Sequence, residues 1–158
     1  MIAPETHLAY AAGYLELGLR AEARAELADL PPAFLASPPA LALRLEIAMA
    51  DSAWEEVIAL APELVAHDTA DERPWIAWAY ALREKERVAE ARETLLAGAR
   101  LIAKPTLVVD YNLACYACLL GEFEEARRLL ASVIARDKSW RAIAREDPDL
   151  AALFGTKT

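Results

Sequence analysis

Asparagine occurs once in these 158 residues, cysteine and histidine twice each, and glycine five times. Two cysteines three positions apart, Cys115 and Cys118, cannot staple a small secreted fold, so a reducing cytoplasm is the expected compartment. The few glycines form no phosphate-cradling loop. The serines (Ser37, Ser52, Ser132 and Ser139) include none framed as a nucleophile elbow. His7 and His67 stand far apart, without an acidic or thiol partner at ligand spacing, and read as surface or packing residues. No apolar run reaches the roughly 18 residues of a membrane span. The opening Met-Ile-Ala-Pro-Glu lacks the basic start and apolar core of a secretory leader. Basic residues are the minority, 17 against 25 acidic, for a net charge of −8. Such a field repels nucleic acid and anionic lipid and favours neutral or basic partners.

What the chain has in quantity is Ala, Leu, Glu and Arg, a helix-forming composition. The hydrophobic fraction of 56% and charged fraction of 27% exclude a disordered chain. The one β-like run, Leu107-Val108-Val109, is too short to outvote its helical surroundings. Along the helices a short pattern recurs: Glu22-Ala23, Glu56-Val57, Glu90-Ala91 and Glu125-Ala126. From Ala23 to Val57 is 34 positions, from Val57 to Ala91 is 34, and from Ala91 to Ala126 is 35. Each period is long enough for two helices and a turn, a unit that cannot bury its apolar face alone.

In the first unit Gly18 supplies a left-handed turn, and Pro31-Pro32 stops the second helix. A connection from Pro31 to Pro39 follows. The second unit turns at Asp51-Ser52, where either side chain is expected to cap the next helix, and Pro62 is expected to kink or shorten that helix. Arg44 replaces the apolar residue found at the matching positions Tyr10, Trp78 and Leu113. The third unit opens with Asp71 as N-cap and Pro74 in the first turn, and then places Trp75, Trp78 and Leu82 at helical spacing. Its Lys85-Glu86 turn has no glycine, so a non-glycine residue must bear the strained backbone angle. The fourth unit runs through Tyr111 to Tyr116, Gly121, and Phe123 to Leu130.

These residues resemble tetratricopeptide repeats. Small first-helix slots fall at Ala11, Leu45, Ala79 and Ala114, and second-helix slots at Ala23, Val57, Ala91 and Ala126. The resemblance implies an all-α, right-handed α-solenoid of four helix pairs plus a C-terminal capping helix, in a single domain over 1–158. The repeats would span about 4–32, 38–68, 71–103 and 106–137, with the cap at 138–154. In the cap, Trp140, Ile143 and Leu150 are expected to cover the open end. The tail also resembles the closing segment of bacterial proteins of this kind, which suggests a bacterial source.

The same resemblance assigns a concave, partner-binding groove to one face of the first helices. Leu8, Ala12, Leu15 and Glu16 would come from the first, and Ala42, Glu46 and Met49 from the second. Arg73, Ile76, Tyr80, Arg83 and Glu84 would come from the third, and Tyr111, Asn112, Cys115 and Cys118 from the fourth. Tyr80 and Arg83 beside Tyr111 make the expected hot spot, because Tyr and Arg dominate measured binding energies. Asn112 is the only groove asparagine and Arg73 and Arg83 the only groove cations, so a chaperone-type carboxylate clamp is incomplete. Cys115 and Cys118 have redox spacing but lie in mid-helix, away from the helix N-terminus that activates a thiol.

The expected function is therefore a non-enzymatic adaptor, scaffold or chaperone-like module that binds a peptide or helix of another protein. No cofactor, metal, nucleic acid or membrane is implied. The alternatives are a structural homo-oligomer assembled through the repeats, and a thiol-redox protein using Cys115 and Cys118.

Overall fold

The computed structural model describes residues 2–155, and among these every regular element is helical. The helices divide into two compact units, Met1–Asp68 and Thr69–Thr158. No helix among the described residues is long and apolar enough to cross a membrane.

The first unit holds α1 (Pro4–Glu16), α2 (Arg20–Ala28), the single turn α3 (Pro32–Leu35), α4 (Pro38–Ala50) and α5 (Trp54–His67). Helices α1 and α2 pack as one pair and α4 and α5 as another, with α4 also lying against α1 and α2. The core around Ala11, Ala23, Leu27, Leu30, Ala40 and Ile47 is closed by Leu8, Tyr14, Leu15 and Phe34. Pro62 does not shorten α5, which runs on to His67. Its missing backbone bond is outweighed by burial of Val57, Leu60, Ala61 and Val65 on the same helix. The connection between Pro31 and Pro39 contains the α3 turn, held in part by the Ser37 hydroxyl, which donates to the Phe34 carbonyl at 2.6 Å.

The second unit holds α6 (Glu72–Glu84), α7 (Val88–Ala99), α8 (Leu107–Leu119) and α9 (Phe123–Arg136). The tail follows as α10 (Trp140–Glu146), a 3-10 turn (Pro148–Leu150) and α11 (Ala151–Phe154). Consecutive helices pack on one another from α6 to α9, and the 3-10 turn returns to lie on α8. Asp71 caps α6 as expected, accepting from the Arg73 backbone N–H at 3.0 Å. In α7, Gly98 lies against the Trp75 side chain so closely that a β-carbon would stand 2.7 Å from its ring.

The four turns inside the pairs are built alike. First helices begin at Pro4, Pro38, Glu72 and Leu107, spaced by 34, 34 and 35 residues. Each turn carries one residue in the left-handed region: Gly18 (φ 74°), Ser52 (54°), Glu86 (61°) and Gly121 (81°). In each, the next N–H bonds a carbonyl five residues back: Leu19 to Tyr14, Ala53 to Ala48, Arg87 to Leu82 and Glu122 to Ala117, all at 2.8–2.9 Å. A second bond, such as Gly18 N–H to Leu15 at 3.0 Å, completes the Schellman closure that satisfies the last carbonyls of a helix. The second turn thus differs from the expected side-chain cap. Ser52 takes the left-handed angle itself, and the Asp51 carboxylate instead accepts from Arg20 at 2.6 Å and Arg24 at 3.0 Å. The small slots Ala23, Val57, Ala91 and Ala126 are fully buried.

Candidate partner-binding surface

Of the residues expected to line a groove, Met49 lies on the last turn of α4 in the first unit and is half-buried. Leu8 and Leu15, expected on an open face, pack against the first unit's core instead. Their spacing placed them on one helical stripe, but which neighbour covers a stripe is decided by the packing. His7, expected to lack an acidic partner, lies with its Nδ1 2.7 Å from Glu26 Oε2.

Ala12 and Ala42 are half-buried and Glu16 and Glu46 exposed, also in the first unit; the other expected residues belong to the second unit, on α6 and α8. Arg73 is exposed and pairs with the capping Asp71 at 2.7 Å. Ile76 is half-buried and Tyr80 is 39% exposed. Partial burial, followed by the nearby Glu84 carboxylate, pushes the Tyr80 phenol up. Asn112 is half-buried on α8.

Tyr111, Cys115 and Cys118 depart from the expectation of an open groove: all three are buried. The physical reason is the tail. After α10 the chain doubles back, and Asp147, Pro148 and Asp149 reach over α8 towards α6. The Tyr111 hydroxyl donates to Asp147 Oδ2 at 2.7 Å, and its ring lies 4.6 Å from that of Trp140. The Cys115 thiol reaches the same Asp147 oxygen at 3.8 Å. Asp147 Oδ1 accepts the Asp149 N–H at 2.9 Å, which fixes the turn. Arg83 grips Asp149 with two nitrogens, Nε at 2.8 Å and Nη2, while Nη1 donates to Glu84 at 3.2 Å. Leu150, wholly buried, anchors the segment. Of the apolar residues expected in the cap, Trp140 and Leu150 take covering positions, but Ile143 is 50% exposed.

This clasp has electrostatic consequences. Burial, and then the Asp147 carboxylate, pushes the Tyr111 phenol and the Cys115 thiol well up. Burial also raises Cys118. Both thiols therefore stay protonated through the neutral range, the opposite of what an attacking dithiol needs. Among the described residues, no group of three or more His, Cys, Asp or Glu is placed to hold a metal ion.

Between α6, α8 and the returning tail lies a cavity of about 390 Å³. Tyr80, Arg83 and Glu84 wall it from α6, Asn112, Cys115 and Tyr116 from α8, and Asp147 to Asp149 from the tail. No motif or spacing marked Tyr116, Asp147 or Asp149 as site residues. The Asp-Pro-Asp run reads as a turn, and no periodicity says where a turn will dock. The chain matches no protein-family model and no curated protein.

Proposed function

We propose that the chain is a tetratricopeptide-type right-handed solenoid, with a C-terminal cap, that works as a non-enzymatic interaction module. It would hold a peptide or helix of another protein against its first helices. The observation that carries this reading is the four equivalent turns at intervals of 34, 34 and 35, each followed by a fully buried small residue. Close backbone crossing at a fixed period is what a stack of helix pairs requires. Met49, Arg73, Ile76, Tyr80 and Asn112 are among the groove residues that keep part of their surface exposed. The raised thiols favour this reading over redox chemistry. The net charge of −8 favours a neutral or basic partner segment.

Affinity capture from the native organism tests it, comparing the full chain with an Ile76→Ala, Tyr80→Ala variant of matched melting temperature. At least one captured protein should be lost with the variant. Capture that is identical for both chains would count against this surface.

A further inference from the structure

The cavity beside the clasp is lined in part by Tyr116, whose hydroxyl no group among the described residues satisfies. Among the described residues, the Tyr116 hydroxyl is the one buried side-chain nitrogen or oxygen without a hydrogen-bond partner, on a residue only 2% exposed. A buried hydroxyl left unpaired is costly, so an incoming group that bonds to it is favoured. The polarity of the surroundings indicates which group. Glu84, Asp147 and Asp149 bring three formal negative charges, and Arg83 a single positive one. Arg83 already directs Nε and Nη2 at Asp149 and Nη1 at Glu84. The cavity therefore has a formal excess of two negative charges. Its unfilled need is for positive charge and N–H donors, and a carboxylate would be repelled.

A volume of about 390 Å³ accommodates a long side chain. Tyr80, at the rim, offers an aromatic face along which an alkyl stem or a guanidinium can lie. We propose that this cavity is a specificity pocket for a lysine or arginine side chain of the partner segment. Its cationic head is held by the Glu84 and Asp147 carboxylates and by the Tyr116 hydroxyl oxygen. The inference rests on the reading of the protein as an interaction module and names the side chain that module selects. The tail supplies one wall of the pocket, Asp147 to Asp149, so the clasp that covers Tyr111 also helps to build the pocket.

The test uses the full chain and three blocked tripeptides, Ala-Lys-Ala, Ala-Arg-Ala and Ala-Gln-Ala, followed by amide and aromatic NMR shifts. The lysine or arginine peptide should shift Tyr80, Asn112 and Tyr116 saturably, and more weakly as salt rises, while the glutamine peptide leaves them in place. Glu84→Gln should weaken binding by about tenfold, the loss of one charge-assisted contact. Tyr116→Phe should weaken binding several-fold and yet raise the melting temperature, because it removes the unpaired hydroxyl. A merely structural tyrosine would not move binding and stability in opposite directions. Butylammonium that binds as well as the lysine peptide would overturn the partner side chain as occupant in favour of a free amine. Equal shifts with all three peptides, none at the highest soluble concentration, or cation binding unaltered by both substitutions would overturn the pocket. A captured partner whose binding depends on Tyr80 but survives Glu84→Gln and Tyr116→Phe would overturn the pocket and leave the module intact.

Discussion

Glu86 holds a backbone angle that its side chain disfavours. At φ 61° its β-carbon crowds the following carbonyl, a cost that Gly18 and Gly121 avoid at the matching positions. Glu86→Gly should therefore raise stability by about 0.5–1 kcal/mol, the relief less the greater freedom of glycine in the unfolded chain. Chemical denaturation would show the midpoint moving up at constant slope. Gly98 presents the opposite case. It is helical, and only the absence of a β-carbon lets the Trp75 ring lie on α7. Gly98→Ala gains helix propensity but forces the ring away, and should lower stability by about 1–3 kcal/mol in the same experiment. An unchanged or higher midpoint would show that the ring has room to move.

At the level of elements, the tail is held to its unit in good part by polar contacts. Its helices are short, seven and four residues, and draw little stability from their own hydrogen bonds. Leu150 and the two aspartates hold it to α8 and α6. Exchanging Asp147 and Asp149 for asparagine should let it open locally, and reaction of Cys115 and Cys118 with a thiol reagent should speed up by about tenfold or more. Equal rates before and after the exchange would mean that the thiols are reached only through global unfolding. The same element sets an alkaline limit. Tyr111, Tyr116 and Cys115 all hold their protons more tightly folded than unfolded, chiefly through burial. Their contribution to stability is thus whole below the ordinary thiol range and is lost as pH rises through it. Melting temperature should fall from about pH 8.5 upward, first through Cys115 and then, near pH 10, through the phenols. Cys115→Ala, with no thiol proton to lose, should flatten the first part of that fall.

At the level of the whole molecule, the repeat leaves its last helix pair with an apolar face, and the tail is what covers it in the second unit. Removing the chain from Trp140 onward would uncover Tyr111, Cys115 and Cys118 and leave Arg83 without Asp149. The truncated protein should melt lower and aggregate at concentrations where the full chain stays monodisperse, which light scattering would register. A truncated chain of equal stability would remove the tail from the account of the fold. The field of the whole chain is acidic, and the surroundings of Arg83, with Glu84, Asp147 and Asp149, share that sign.

Much of the architecture was legible in the sequence because it is set by local rules. The intervals of 34, 34 and 35 fixed where helices begin, Gly18 and Gly121 marked two turns, and the missing glycine at Glu86 foretold the strained angle there. Those features depend on backbone sterics within a few residues, which composition and spacing express directly. The candidate site was legible only in part. Ile76, Tyr80 and Asn112, which the resemblance put on a groove, keep exposed surface, whereas Tyr111, Cys115 and Cys118 do not. Their burial comes from the tail, where Asp147 reaches Tyr111 and Cys115 from more than 30 residues away and Ala152 and Leu153 reach Cys118. The helices and their turns were therefore written in the sequence, and what covers each helix face was decided by the tertiary structure. Docking of a turn is governed by long-range charge and shape that no local pattern encodes, as the Arg83–Asp149 grip and the pocket at Tyr116 both show.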